Sequence, residues 1–215
     1  MSGSPWPDLG AVGVELSVPR GPVRPGVGLS PAVRLQGGLV DRRIRRVGLS
    51  VRATDDGGET AHVLARAAVD GDFALAADAE RTVHAGLALP RSTPVTRDGV
   101  AVRVVATVDA GWGHAPTAAA GLTVRPDEYV AALLEAVSRL EFAPDGATLV
   151  ETPYLDDRPV VQRLAFRPTG GRETPAGLSL TLLPRADSLR VVAGIEGHDT
   201  AFDAQETPMT FQYAD

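Results

Sequence analysis

Arg46-Val47-Gly48-Leu49-Ser50-Val51-Arg52-Ala53 is the stretch that decides the fold. Val47, Leu49, Val51 and Ala53 alternate with Arg46, Gly48, Ser50 and Arg52. Side chains of an extended backbone point to opposite faces in turn, so this two-residue period makes one dry face and one wet face. The pattern returns outward along the chain in both directions. Upstream, Val12, Val14, Leu16 and Val18 alternate with Gly13, Glu15 and Ser17. Downstream, Val102, Val104, Ala106 and Val108 do so less cleanly, because Val105 intrudes. Pro22 to Gly26, Gly37-Gly38, Asp55-Asp56-Gly57-Gly58, Asp70-Gly71-Asp72 and Arg97-Asp98-Gly99 punctuate these runs. Gly and Asp tolerate positive φ, so the Asp-Asp-Gly-Gly and Asp-Gly-Asp segments predict tight hairpins. Short strands with such punctuation predict an antiparallel β-sandwich.

One segment has another period. Between Pro126 and Phe142, the residues Val130, Leu133, Leu134, Val137 and Leu140 recur at helical spacing, and alanines fill the gaps. Asp127 is placed to cap the N-terminus, and Glu128 suits the positive end of the helix dipole. Pro144-Asp145-Gly146 is read as the stop. Alternation then resumes over Val160 to Phe166, Leu178 to Leu182, Leu189 to Ile195 and Thr207 to Tyr213. The order predicts two β-rich domains, residues 10–125 and 143–215, joined by an amphipathic helix over 126–142. The second is small for a full sandwich, so it is expected to lean on the helix or on the first domain to close its core.

Composition bounds the chemistry. The chain has 215 residues, 44% of them hydrophobic and 22% charged, with a net charge of −6. An acidic balance disfavours nucleic-acid binding through phosphate neutralisation. The absence of cysteine excludes disulfides, thiolate zinc sites, iron–sulfur clusters and cysteine nucleophiles. All 21 basic residues are arginine, so Schiff-base catalysis on a lysine and a Walker-type phosphate lysine are excluded too. The N-terminal stretch lacks the basic and apolar regions of a signal peptide, and no window holds 18 consecutive apolar residues, so a cytoplasmic protein without a membrane span is expected.

Motifs for catalysis do not emerge. No Gly-x-Ser-x-Gly elbow, dinucleotide fingerprint or His-Glu-x-x-His stands in the sequence. The histidines, His62, His84, His114 and His198, are single, without ligand-like spacing. A metal-dependent or hydrolytic enzyme on a sandwich scaffold would need three of them to meet near a carboxylate. Asp55-Asp56 and Asp156-Asp157 read as turn and linker chemistry rather than converging carboxylates. No catalytic, metal or cofactor residue is assigned. Two features could bind a partner. Asp41-Arg42-Arg43-Ile44-Arg45-Arg46 puts Arg42, Arg43, Arg45 and Arg46 on both faces if extended, which predicts an exposed strand start or a bulge. Its functional reading is a dock for an anion or phospho-motif, since guanidinium forks match phosphate; its structural reading is a charged edge that discourages aggregation. Trp112, between glycines, is either a partner anchor or a ring tucked over the sandwich edge.

The order of residues carries a resemblance. Val23-Arg24-Pro25-Gly26 follows the first strand, then Gly37-Gly38 and Arg43-Ile44-Arg45-Arg46-Val47-Gly48-Leu49. Next come Leu89-Pro90-Arg91-Ser92-Thr93-Pro94-Val95-Thr96, the strand Val102 to Asp109, Val124-Arg125-Pro126 before the helix, and Val161 to Pro168 after it. Over about residues 10–195 this resembles the bacterial sporulation-control SpoOM-like family, which has an arrestin-like fold. The resemblance implies two arrestin-like β-sandwich domains and a non-enzymatic adaptor that needs no cofactor. It implies regulatory, cytoskeletal or envelope-associated protein partners, with a homodimer as one form of association. The chain departs from the family where an acidic Asp-Pro-x-Asp-x-Asp stretch often stands; here the segment is His114-Ala115-Pro116-Thr117-Ala118-Ala119-Ala120.

Overall fold

A computed structural model describes residues 11–56, 60–111, 115–152, 160–170, 177–185, 188–196 and 207–212. In chain order the strands are β1 (Gly13–Ser17), β2 (Gly28–Leu29), β3 (Ala32–Gln36), β4 (Arg42–Thr54), β5 (His62–Leu75), β6 (Glu80–His84), β7 (Leu87–Ala88), β8 (Ala101–Asp109) and β9 (Thr117–Leu122). Helix α1 (Glu128–Arg139) follows, then β10 (Phe142–Glu151), β11 (Val160–Pro168), β12 (Gly177–Pro184), β13 (Ser188–Glu196) and β14 (Thr207–Gln212).

The strands before the helix make a three-stranded sheet β1-β3-β6, a four-stranded sheet β5-β4-β8-β9 and the short pair β2-β7. All pairings between these strands are antiparallel. Alternation places the core between the two larger sheets. Val47, Leu49, Val51 and Ala53 of β4 and Val102, Val104, Ala106 and Val108 of β8 meet Val33 and Leu35 of β3, all of them buried. Each such aliphatic side chain removed from water contributes about 1.5–3 kcal/mol. Val105, the residue that broke the pattern in β8, is half-buried on the outer face, opposite Ser50.

Two turn readings change in the structure. Asp70-Gly71-Asp72 does not separate two strands; it lies inside the continuous β5, where the register with β4 shifts between Ile44 and Arg46. Gly and Asp serve a β-bulge as well as a hairpin, because both accept the irregular backbone an extra residue requires. Likewise Pro144-Asp145-Gly146 does not stop the helix. It forms a bulge in β10, with Gly146 at φ 150°. Pro144 is tolerated there because β10 is an edge strand. The helix ends earlier, at Arg139 with Leu140 as its cap, and Glu141, at a φ of 62°, then turns the chain left-handed. Both the backbone N–H and the hydroxyl of Thr169 then donate to the Glu141 carbonyl, at 2.8 Å each. At the other end Asp127 caps as expected, accepting from the Val130 N–H at 2.9 Å. The turn Arg97-Asp98-Gly99 holds: Asp98 and Gly99 both have positive φ, and the Val100 N–H donates to the Arg97 carbonyl.

Beyond the helix, β10 to β14 form a five-stranded antiparallel meander in sequence order. One face of this sheet carries Leu164, Phe166, Leu180, Leu182, Leu189 and Val191. Among the described residues, that face is closed by Val130 and Val137 of α1 together with Val95 and Val100, which precede β8. The small C-terminal part therefore draws both on the helix and on the first half of the chain for its core.

Candidate functional site

The arginine run begins β4, and a bulge sorts its side chains. Ile44 and Val47 are fully buried although three residues apart, an odd spacing that an unbroken strand would split between two faces. The irregularity lets Arg43, Arg45 and Arg46 all lie exposed, while Arg42 is half-buried. Arg43 is engaged within the hairpin: its Nε and Nη2 donate to the two carboxylate oxygens of Asp72 on β5. That bidentate pair raises the Arg43 pKa and holds the Asp72 carboxyl below its usual value, first through the hydrogen bond itself. Arg45 adds a weaker electrostatic pull on Asp72. Arg46 stands in register between Asp109 of β8 and Asp70 of β5.

Further along the outer face of the same sheet lies a shallow depression of about 410 Å³. Gly48, Ser50, Ala68 and Thr107 are among its lining, and Arg46, Arg52 and Arg66 stand around it. The register explains the arrangement. Gly48 lies opposite Ala68 and Thr107, Ser50 opposite Arg66, and Arg52 opposite Arg103. Residues without bulk thus sit in the middle, with long cationic side chains around them. Ser50 is 9% exposed although it is on the outer face, and its hydroxyl accepts from Arg52 Nε at 3.1 Å. Among the described residues no carboxylate pairs with Arg52, Arg66 or Arg103. The outer face of the three-stranded sheet is built differently. There Arg34 bridges Glu80 at 2.6 Å and Glu15 at 3.2 Å, a balanced cross-strand network.

The other candidates take structural places or fall outside the description. Trp112, His114, His198 and Asp156-Asp157 lie outside the described residues. His62 is on β5 with Nδ1 3.9 Å from Glu151, and His84 is exposed on β6. No cluster of three His, Asp or Glu able to hold a metal occurs among the described residues. Asp55 accepts from the Leu149 N–H at 2.6 Å, tying the β4 end to β10. Asp56 packs over Gly99, where a Cβ would come within 2.5 Å of its carboxylate.

Sequence reasoning passed over two groups. Arg52, Arg66 and Arg103 come from three strands and share a face only through the sheet register; the even spacing of Arg46 and Arg52 was the sole linear signal. Gln162 was also missed. It is buried at 4% exposure and makes a two-way bond to the backbone of Val95: Val95 N–H to Oε1 at 2.8 Å, and Nε2 to the Val95 carbonyl at 2.9 Å. A side-chain amide here imitates a strand neighbour and locks β11 to the segment before β8.

Comparison with known proteins agrees with this architecture. The chain is 26% identical over 197 residues to the sporulation-control protein spo0M of Bacillus subtilis (strain 168), spanning 87% of this chain and 76% of that protein. It is similar to the crystal structure of Spo0M from Bacillus subtilis, with a TM-score of 0.82 and 24% identity over 94% of this chain and 91% of the other. The fold is thus mostly β, antiparallel and arrestin-like. The pattern of the SpoOM protein family matches residues 8–198, so the chain belongs to that family.

Proposed function

We propose that the chain is a non-enzymatic, arrestin-like adaptor that acts in regulation by binding other proteins. In this reading residues 10–125 form one β unit, 126–142 the connecting helix and 143–215 a second, smaller unit. The protein works in the cytoplasm on regulatory, cytoskeletal or envelope-associated partners, and it self-associates as a homodimer. The relative named above is a sporulation-control protein, which suits a regulatory role.

The observation that carries the reading is the open side of β5. This strand is fourteen residues long and among the described residues pairs only with β4, so toward them its other edge presents unpaired backbone groups. Two register shifts against β4 bracket the stretch Ala65 to Asp70, which leaves a short regular edge rather than a long flat one. Such an edge resists indiscriminate pairing yet accepts one short partner strand by main-chain hydrogen bonds.

The test is direct binding between purified components. A host protein cross-linked to the full chain is purified, mixed with it and followed by hydrogen exchange. Protection of β5 amides on mixing supports the reading. Failure of every such protein to bind in isolation overturns it. Sedimentation over a range of concentrations decides the homodimer: a single monomeric species throughout removes it.

A further inference from the structure

We propose that the depression on the outer face of the β5-β4-β8-β9 sheet binds a phosphate monoester carried on an extended segment of a partner protein, held by Arg52 and Arg66, which line it, with Arg103 beside them opposite Arg52. The inference rests on the adaptor reading and gives it a recognition chemistry.

Charge placement comes first. The chain carries a net charge of −6, yet Arg52 and Arg66 line the depression, Arg103 stands beside it opposite Arg52, and no described carboxylate pairs with any of the three. Arg52 and Arg103 are directly opposite one another across β4 and β8. Like charges in that position repel, and an isolated sheet gains nothing from them. On the other sheet Arg34 has its two glutamates, so the fold neutralises an outward arginine elsewhere. The uncompensated set is explained by an anion that supplies the missing charge.

Shape and donor chemistry then narrow the anion. Gly48, Ala68, Ser50 and Thr107 keep the floor low between the arginines. Ser50 already accepts from Arg52, so its own proton is available to donate into the recess. Arg52 is thereby oriented, with its terminal nitrogens left for a ligand. The two lining guanidinium forks and a hydroxyl, with a third fork at the side, offer more donors than one carboxylate accepts. A phosphate monoester brings nearly two negative charges and three terminal oxygens, and guanidinium binds it bidentately.

The recess also chooses the carrier. A flat bilayer surface reaches protruding cations better than cations ringing a floor, and a nucleic-acid backbone needs a longer basic track than these strands supply. A phosphorylated side chain on an extended segment enters the depression while its backbone lies along the sheet. The volume of about 410 Å³ accommodates the phosphoryl group with part of the segment that carries it.

The experiment uses the full chain labelled with ¹⁵N. It is titrated with a Gly/Ser peptide bearing one central phosphoserine, with the same peptide unphosphorylated, with inorganic phosphate, and with phosphatidylserine vesicles. The variants are Arg66→Gln, Arg103→Gln and their combination. All replace exposed side chains, so melting without ligand checks that the fold is intact. The phosphopeptide is expected to bind at least about tenfold more tightly than the plain peptide. Shifts should centre on Gly48, Ser50, Arg52, Arg66 and Thr107. Inorganic phosphate should raise the melting temperature of the wild type, and the double variant should lose both effects. Equal binding of the two peptides, shifts that miss these residues, or an unchanged double variant overturns the site. Vesicle binding that depends on Arg66 and Arg103 while the phosphopeptide does not bind reassigns the surface to a membrane and overturns the proposal. If the double variant loses phosphate binding but still binds a purified host partner, the adaptor reading survives; if the phosphopeptide binds and no host partner does, that reading fails alone.

Discussion

Replacing Gln162 by leucine tests how the two halves of the chain are held together. The wild-type amide satisfies both the N–H and the carbonyl of Val95, and both residues are buried, at 4% and 7% exposure. Leucine has nearly the same bulk, so little cavity forms. It offers neither acceptor nor donor, and two backbone polar groups are left in a dry contact. Each orphaned group costs about 1–3 kcal/mol, so the loss is about 2–6 kcal/mol. For a chain of this size that corresponds to a melting temperature lower by about 4–24 °C. Denaturant unfolding measures the stability, and hydrogen exchange of the Val95 amide reports the bond itself, which should exchange much faster in the variant. Gln162→Glu adds a sign. A buried glutamate bonds the Val95 carbonyl only when protonated, so its folded pKa is raised. Its contribution is present at low pH and lost as pH rises through that raised value. The reasoning is refuted if Gln162→Leu changes stability by less than about 0.5 kcal/mol, the range of an ordinary surface substitution, with Val95 exchange unaltered.

Other expectations follow from single contacts. Leu134→Asp puts a carboxylate where α1 packs on the second core and should destabilise by about 2–3 kcal/mol, read by thermal melting; unchanged melting would mean the helix does not pack there. Gly37→Ala should cost about 1–3 kcal/mol, because a Cβ at this position overlaps the Ala76 carbonyl and the backbone must move; circular dichroism melts check it against Gly28→Ala, where space is open. Asp72 and Glu80 have depressed pKa values through their bonds to Arg43 and Arg34. Their stabilisation is present above the ordinary carboxylate values of 3.8 and 4.5 and is lost as pH falls through the lowered ones. Asp72→Asn should therefore flatten part of the stability decline below about pH 4 in acid titrations followed by fluorescence. An unaltered decline would show that the pair does not persist in solution.

Particular elements are legible in the sequence alone because their signals are local. The alternation of Val47 to Ala53 is enough to assign a strand and its dry face, since the period of an extended chain is two whatever surrounds it. The helix and its Asp127 cap are legible for the same reason: apolar spacing and a capping oxygen act within one or two turns. The arginine run, expected as an exposed strand start or a bulge, is both: it begins β4, and unbroken alternation cannot bury both Ile44 and Val47. Asp70-Gly71-Asp72 and Pro144-Asp145-Gly146 form bulges where the sequence predicts breaks, because Gly, Pro and Asp suit bulges and turns alike; the neighbouring strand decides which of the two forms.

The sequence by itself determined the periodicities: which residues alternate, where one helix interrupts them, and which chemistries the absent cysteine and lysine forbid. Only the tertiary structure decided which residues meet. Arg52, Arg66 and Arg103 are far apart along the chain and become neighbours through antiparallel register, while Gln162 finds Val95 across the junction of the two halves. Pattern along a chain reports the side on which a residue lies; contact between distant segments depends on strand order and register, which are set by the packing of the whole core.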